Sequence, residues 1–500
     1  MRISNKFLIL ALAVGTTLAG CKKSVLDTQP SDAATDENLY TTTTGAYMVL
    51  DGMNRVMSDR APALGDNDRH NDFGAKTVDL ADDVMGNDVV CNANNFDWFT
   101  GWYDYTGIVR PTYAVIAIPW AFYYKVVNAA NNLLARIDGA AGPDADKNNI
   151  KGQALAYRAW AYYRLSIYFC KTYSLGQSNP GLPIYLTPTS GTSEGARRST
   201  VGEVYTQITT DLKMAVDLLA KGTTSTNKSY ISLATAQGIY AKVALTMEDW
   251  TKANEMSSAA ISSTGGESKL MDTTAYLGGF NSSTNSEWMW ASALTPDQTR
   301  AYQIVCFMSF VDGTSNQSYA GGGAAWRKIT KQLFDKIPTT DVRRKTFASD
   351  RKQTKFRLAT PNTWVYDNLY MRLAEMYLIK AEALANSGQD AAAVTALETL
   401  IQKRNKAYTY AGGAYYTGTG NKLKEEIYLQ RRIELYLEGM SYSDIQRLKK
   451  PLERPSGSGN HDIAKAQTMT LPASDNKFVW KIPQSELDAN INMNESDQNP

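Results

Sequence analysis

Two segments of the chain have the pattern of paired helices joined by a short turn, and this pattern constrains the fold more than any other feature. Residues 234–253 read ATAQGIYAKVALTMEDWTKA, and residues 369–404 read LYMRLAEMYLIKAEALANSGQDAAAVTALETLIQKR. Small residues on a helix face let a second helix approach closely. Such pairs stack into arrays of the tetratricopeptide kind. The chain has no strict repeat period, so the predicted repeats are divergent and interrupted.

Apolar periodicity and start signals predict further helices on both sides of these segments. The clearest start is Thr200 followed by Glu203, which is the spacing of a capping box. Asp36 is the predicted cap of the first helix. The predicted helices cover residues 37–60, 120–137, 148–173, 200–220, 232–246, 249–262, 369–386, 391–405 and 430–448.

The stretches between these helices are rich in Ser, Thr, Gly, Asn and Asp, which predicts loops. Residues 61–115 form a loop-rich and then aromatic insertion, and residues 263–368 break the helical rhythm. The predicted fold class is therefore mainly α, a tetratricopeptide-like scaffold of helical pairs with loop-rich insertions and a few short β-hairpins. Because 500 residues exceed one ordinary core, we expect an N-terminal region over 37–262 and a C-terminal region over 263–500.

The first residues have the pattern of a secretory signal followed by a lipid-attachment cysteine. Two basic residues precede an apolar run that is too short to span a bilayer comfortably, and the run ends in LAGC. Small residues directly before a cysteine resemble the lipobox of bacterial lipoproteins. We expect a signal peptide over residues 1–20, acylation of Cys21, and a lipidated tether over residues 21–36. The alternative is a plain secretory peptide with an incidental cysteine.

The residue counts argue against several classes of function. From Cys21 onward the chain has 50 basic and 50 acidic residues, so it has no global attraction to nucleic acid. Only two histidines are present, which removes most histidine-based triads and zinc sites. The acids within residues 430–448 have arginines three or four positions away, which favours structural ion pairs over a glycosidase pair. We therefore expect no catalytic residues and no enzyme activity.

Residues 66–88 are rich in Asp and Asn, and two interpretations of them stay open. Oxygen ligands of this kind suit calcium, and the candidate ligands are Asp66, Asp68 and Asp72. The ligand spacing of an EF-hand is absent, and a loop of Asx turns is the alternative. No other cofactor is predicted.

The aromatic segment NNFDWFTGWYDY, at residues 94–105, is the predicted ligand-binding region. A sugar ring has an apolar face that packs on Trp or Tyr, and hydroxyl groups that bond to Asn, Asp or Arg. Half of these aromatics could instead fill space between loop and scaffold. The predicted contacts come from this segment and from the second loop-rich region, and they are Asn95, Asp97, Trp98, Trp102, Tyr103, Trp288, Trp290 and Trp326.

Several segments, in their order along the chain, resemble the SusD/RagB family of outer-membrane glycan-binding lipoproteins. The mature start contains LDTQP, and residues 154–169 read ALAYRAWAYYRLSIYF. YMRLAEMYLIKAEALA follows at 370–385, and QRRIELYLEGMSYSDIQRL at 430–448 is close to the family's Arg-x-Glu-Leu…Glu-Gly…Asp-x-x-Arg pattern. The ending IPQSELDANINMNESDQNP, at 482–500, is similar to the family's closing segment. The resemblance covers essentially the whole mature chain.

The resemblance implies a tetratricopeptide-like scaffold with a loop-rich face that captures an oligosaccharide. It implies a SusC-like TonB-dependent outer-membrane transporter as partner, to which the glycan is delivered. It also implies a location at the outer membrane, lipid-anchored through Cys21 and facing the cell exterior. A peptide cargo is an alternative, because a few relatives serve peptide uptake. A carbohydrate-active hydrolase and a pure protein-interaction scaffold are two further alternatives.

Overall fold

The chain is mainly α-helical, as the sequence predicts. The computed structural model describes residues 39–66, 68–93, 95–298, 304–419 and 421–500. The predicted signal peptide, Cys21 and the predicted tether over residues 21–36 lie outside the described residues. Within the described ranges, no helix is long and apolar enough to cross a membrane.

The longer helices carry the scaffold, and we number them in chain order. They are α1 (Thr43–Val56), α2 (Ala75–Met85), α3 (Ala114–Arg136), α4 (Asp144–Phe169), α5 (Val201–Leu219), α6 (Leu233–Thr246), α7 (Trp250–Thr264), α8 (Leu373–Asn386), α9 (Asp390–Ile401) and α10 (Lys422–Glu434). Short helices cover Thr100–Tyr103, Thr273–Tyr276, Phe307–Val311, Lys331–Asp335, Tyr410–Gly413, Ser441–Arg447, Ile463–Ala466 and Gln484–Ala489. Turns of 3-10 helix cover Ile137–Gly139, Tyr173–Leu175, Gly266–Lys269, Val342–Thr346, Asn476–Phe478 and Glu495–Asp497.

Short antiparallel strand pairs tie segments of the chain together. The strands are β1 (Val89–Val90), β2 (Pro180–Pro183), β3 (Arg198–Thr200), β4 (Trp288–Ser292), β5 (Lys328–Ile329), β6 (Asn368–Arg372), β7 (Leu452–Glu453) and β8 (Thr470–Leu471). β2 pairs with β3 and β7 with β8, and both pairs join neighbouring segments. β1 pairs with β5 and β4 with β6 across long stretches of sequence. In the β4–β6 pair, Trp288 lies opposite Arg372 and Ser292 opposite Asn368.

Successive helices pack against one another in a continuous array. α3 packs on α4, α4 on α5, α5 on α6, and α6 on α7. α7 then packs on α8, which also contacts α9 and α10. The two helical pairs visible in the sequence, α6–α7 and α8–α9, are therefore neighbours in space although residues 265–372 separate them in the chain.

The helices α1 and α5 each begin after a residue whose side chain caps the first turn. The predicted capping box is confirmed, because Thr200 Oγ1 accepts from the Glu203 N–H at 3.2 Å and Glu203 accepts from the Thr200 N–H at 2.6 Å. α1 is shorter than the predicted helix over residues 37–60. Its cap is Thr42, whose Oγ1 accepts from the Gly45 N–H at 3.1 Å, whereas Asp36 lies outside the described residues.

The loop-rich insertion contains a buried helix that the sequence analysis missed. α2 occupies the Asp-rich stretch, and its carboxylates point inward. Asp82 accepts from the Tyr442 N–H at 2.9 Å, and Asp83 accepts from the Gly439 N–H at 2.6 Å. These two carboxylates therefore satisfy backbone donors at the start of the helix Ser441–Arg447. Burial raises the pKa of Asp82 to about 7.

The predicted helix over residues 430–448 is wrong, because the chain turns between α10 and Ser441–Arg447. Leu437 and Gly439 have positive φ angles, at 62° and 78°. A Cβ added at Gly439 would lie 2.7 Å from the Asp79 side chain. Glycine is needed there both for the left-handed backbone and for the close approach of α2.

A buried cluster of ionised groups joins α10 to β4, β6 and the end of α9. Glu434 lies at its centre, with Oε1 2.7 Å from Arg372 Nη1 and 2.9 Å from Arg404 Nη2. Its Oε2 lies 3.3 Å from Arg343 Nη1. The guanidinium groups hold the Glu434 pKa well below its usual range despite burial. These ion pairs confirm the predicted structural use of the acids in this segment.

Candidate functional site

Four of the predicted contact residues are buried, and burial corrects the prediction for them. Trp102, Tyr103, Trp288 and Trp290 are each at most 1% exposed. They belong to regular elements, the short helix Thr100–Tyr103 and the strand β4. Their rings fill the space between loops and scaffold, and therefore they do not present a face to a ligand.

The contacts of two of these rings show what their burial does. Trp290 packs edge-on against Trp160 of α4, with ring centroids 5.2 Å apart. Tyr103 stacks on His461 at 5.7 Å, and its hydroxyl lies 2.8 Å from His461 Nδ1. Trp290 therefore fastens β4 to α4, and Tyr103 fastens the loop-rich insertion to the C-terminal segment.

Residues 95–98 of the aromatic segment stay at the surface. Asn95 and Asp97 are exposed, Trp98 is half-buried, and Phe96 is 67% exposed. Phe96 and Asp97 have positive φ angles of 72° and 53°. Left-handed backbone at residues other than glycine costs about 1–3 kcal/mol each and persists only where surrounding contacts impose it. The strained turn displays Phe96, which the sequence analysis did not select as a contact.

A second loop, residues 312–326, supports this turn. Asn95 Nδ2 donates to the Gly323 carbonyl at 2.7 Å. A Cβ added at Gly321 would lie 1.9 Å from the Ser315 carbonyl oxygen. The three glycines at residues 321–323 therefore form a tightly packed turn. Asn316 and Gln317 are exposed on the same loop.

A column of aromatic rings connects the two loops to the core. His70 stacks on Trp98 with centroids 5.4 Å apart, and its Nδ1 is hydrogen-bonded to the Tyr319 hydroxyl. Tyr319 stacks on Phe310 at 4.6 Å, and Phe96 packs edge-on against Tyr319 at 5.3 Å. We call the group His70, Asn95, Phe96, Asp97, Trp98 and Tyr319 the aromatic-loop surface.

The aromatic-loop surface combines a hydrophobic ring with polar groups that face solvent. Burial of the His70 ring lowers the pKa of that group, which favours the neutral imidazole, and the ring stacks on Trp98. Asp97 keeps an exposed carboxylate that accepts from Thr100 Oγ1 at 3.1 Å. A hydrophobic face beside carboxylate and amide groups suits a ligand that has both C–H and O–H groups.

Trp326, the last predicted contact, is half-buried and has cationic neighbours. The Lys328 and Lys352 Nζ atoms lie 5.5 and 4.8 Å from its ring centroid. Cation–π contacts of this kind occupy an aromatic ring with groups of the protein itself. Trp326 remains a candidate contact at the edge of the second loop.

The Asp-rich loop uses its carboxylates for turns and ion pairs. Asp72 accepts from the Ala63 and Leu64 N–H groups at 3.2 and 3.1 Å, and burial raises its pKa to about 6. Asp66 accepts from the Asp68 N–H at 3.0 Å. The described residues contain no group of three or more His, Cys, Asp or Glu side chains placed to hold a metal ion. These hydrogen bonds fit the Asx-turn interpretation of this loop.

A family model matches residues 66–245 of the chain, and its description is "Starch-binding associating with outer membrane". A solved SusD-like carbohydrate binding protein from Bacteroides vulgatus is similar over nearly its whole length. It is 27% identical, with a TM-score of 0.78 over 92% of this chain and 98% of that chain. The chain is therefore similar to SusD-like proteins, in the family model over residues 66–245 and in fold over 92% of its length. The family-model match includes His70 and residues 95–98 of the aromatic-loop surface and ends before Tyr319.

Other solved structures share the fold at lower identity. A laminarin binding SusD-like protein is 19% identical, with a TM-score of 0.68 over 92% of this chain and 100% of that chain. Surface glycan-binding protein A from Bacteroides thetaiotaomicron, in complex with laminarihexaose, is 16% identical with a TM-score of 0.68 over the same shares. No curated protein is significantly similar to the chain.

Proposed function

We propose that this SusD-like protein binds an oligosaccharide on the aromatic-loop surface and has no catalytic activity. The proposal rests on Phe96, whose exposed side chain is held beside half-buried Trp98 by a turn with left-handed backbone. An exposed aromatic side chain held by two packed loops offers a face for the C–H side of a sugar, and preorganisation lowers the entropic cost of binding. The ligands of two proteins with the same fold, laminarin and laminarihexaose, support this ligand class.

The same protein would deliver the glycan to a TonB-dependent transporter. We propose that acylation of Cys21 anchors the chain to the outer membrane, facing the cell exterior, and that a SusC-like transporter is its partner. Co-purification of such a transporter with the chain tests the partnership. Replacement of Cys21 by Ala is expected to release the folded protein from the membrane fraction, and persistent membrane association of that variant contradicts the anchor.

Isothermal calorimetry with laminarin and starch oligosaccharides tests the binding site. We expect Phe96→Ala to weaken binding about two- to twelvefold, from the ~0.5–1.5 kcal/mol of an aromatic contact. Ile463→Ala is the matched control, because Ile463 is a comparably exposed apolar side chain at 63% and lies outside the aromatic-loop surface. The proposal fails if Phe96→Ala and Ile463→Ala bind equally well, or if only peptides bind. Release of reducing ends from these oligosaccharides would identify a hydrolase instead.

A further inference from the structure

Away from the aromatic-loop surface, a cleft lies between α3, the loop over residues 184–196 and the short helix Gln484–Ala489. Its volume is about 430 Å³, which is within the range of small-molecule sites. It shares no residue with the aromatic-loop surface. The residues that decide its chemistry are Trp120, Tyr124, Tyr185, Glu194 and Glu486.

Carboxamide side chains of α3 and of Asn490 hold the loop that forms one wall of the cleft. Asn128 donates to the Thr189 carbonyl at 3.1 Å and accepts from the Thr189 N–H at 2.8 Å. Asn131 Nδ2 donates to the Tyr185 and Thr187 carbonyls, at 3.0 Å each. Asn490 Nδ2 donates to the Ala196 carbonyl at 2.9 Å. The cleft is therefore formed before any ligand enters.

Three aromatic rings line one corner of the cleft. Trp120 and Tyr124 lie about one turn apart on α3, with ring centroids 4.9 Å apart. Tyr124 and Tyr185 meet edge to face, at 5.9 Å and 81°. The Tyr185 hydroxyl accepts from the Ala196 N–H at 3.0 Å, which holds its ring in place.

The charged groups that line the cleft are carboxylates. Glu486 accepts from Trp120 Nε1 at 3.2 Å and from Asn490 Nδ2 at 2.8 Å. Both donors are neutral, and in the described part of the chain neither Glu486 nor Glu194 has a cationic side chain within ion-pair distance. Lys125 of α3 is directed elsewhere, because its Nζ donates to the Pro62 carbonyl.

We propose that this cleft binds the primary ammonium group of a small organic cation. The carboxylate of Glu486 neutralises the charge, and the faces of Tyr124 and Tyr185 attract it through their quadrupoles. An ammonium group on an amino sugar and one on a lysine side chain share this chemistry. This site is independent of the proposed oligosaccharide site, because the two share no residue and a neutral glycan carries no ammonium group.

Calorimetry on the full chain tests the cleft with three probes. They are a glucosamine trisaccharide, its fully N-acetylated and therefore neutral counterpart, and a tripeptide with a central lysine. We expect the glucosamine trisaccharide to bind at least tenfold more tightly than its acetylated counterpart. Comparable binding of the peptide assigns the site to the ammonium group itself, and absence of peptide binding assigns it to amino sugars. Equal affinity for the charged and the acetylated trisaccharide, or no binding of any ammonium probe, overturns the proposal.

Variants separate this site from the aromatic-loop surface. Glu486→Gln is expected to weaken binding of the ammonium probe at least tenfold, and Glu194→Gln, on the exposed rim, less strongly. Glu453→Gln, at an exposed carboxylate outside the cleft, is the matched control. Phe96→Ala is expected to leave the ratio of affinities for the charged and the acetylated trisaccharide unchanged, because both sugars would contact the aromatic-loop surface equally. If Glu486→Gln does not fold, an unchanged affinity of Glu194→Gln rejects the site.

Discussion

Replacement of Glu434 by Gln is expected to destabilise the fold strongly without acting on ligand binding directly. Glu434 is fully buried and contacts the guanidinium groups of Arg343, Arg372 and Arg404. The amide keeps the volume of the side chain and removes its charge. Three buried cations then share the remaining carboxylates, and a donor amide group faces guanidinium donors.

The expected loss follows from the charge balance of the cluster. Besides the three arginines, Lys355 is paired with Glu438, and Arg372 and Arg404 are also paired with Glu287. Removing one partner of a buried ion pair costs about 3–5 kcal/mol, because the other charge stays buried without compensation. That is a large share of the roughly 5–15 kcal/mol by which domains are stable.

Urea unfolding followed by circular dichroism measures this loss. Glu255→Gln is the matched control, because Glu255 forms an exposed ion pair with Lys252 at 2.6 Å, and exposed pairs contribute at most about 1 kcal/mol. The prediction is contradicted if Glu434→Gln lowers the free energy of unfolding by less than about 1 kcal/mol. It is also refuted if the variant keeps full stability and loses oligosaccharide binding, because Glu434 would then serve the ligand rather than the fold.

Three further predictions concern pH, a helix cap and a tight turn. Because burial raises the folded-state pKa of Asp82 to about 7, stability from its protonated form is lost as pH rises from 6 to 8. Asp82→Asn should remove about 1 kcal/mol of that dependence, measured by urea unfolding at both pH values, and an unchanged pH profile contradicts the assignment. Thr200→Ala should cost about 1 kcal/mol by loss of its capping box, and no change in the unfolding midpoint argues against that contribution. Gly321→Ala should weaken oligosaccharide binding, because its Cβ would lie 1.9 Å from a carbonyl oxygen. Gly52→Ala is the control and should leave binding unchanged, because its Cβ would have nothing within 4 Å. Equal affinities of the two variants refute the role of that turn.

The parts of the fold that depend on local sequence could be predicted, and the parts that depend on distant contacts could not. The helices of the repeat pairs follow from apolar spacing, and the start of α5 follows from Thr200 and Glu203. α2 was missed because its carboxylates, which look like a solvated loop, bond to backbone groups more than 350 positions away. No periodicity in the local sequence carries that information.

The same limit explains the outcome for the candidate site. Composition located the aromatic segment, but it could not distinguish Trp102, buried in a short helix, from Phe96, displayed by two left-handed residues. The partner ring, Tyr319, lies in a loop that is distant in the chain. Glycine spacing at residues 321–323 was a usable signal for a tight turn there, since each glycine has a backbone carbonyl within 3 Å of where a Cβ would sit.

The contacts of the insertion with the C-terminal segment have a consequence for biosynthesis. Asp82 and Asp83 bond near Gly439 and Tyr442, Arg454 donates to the Val84 carbonyl at 2.8 Å, and Asn92 donates to the Asn460 carbonyl at 2.7 Å. The helices α3 to α6 pack mainly on helices that are adjacent in the chain, so they can assemble while the rest of the chain is still being synthesised. The insertion must wait for residues that emerge last, because contacts of high sequence separation form late. Because most of the aromatic-loop surface lies on this insertion, it would bind a ligand only after the whole polypeptide has been made and has folded.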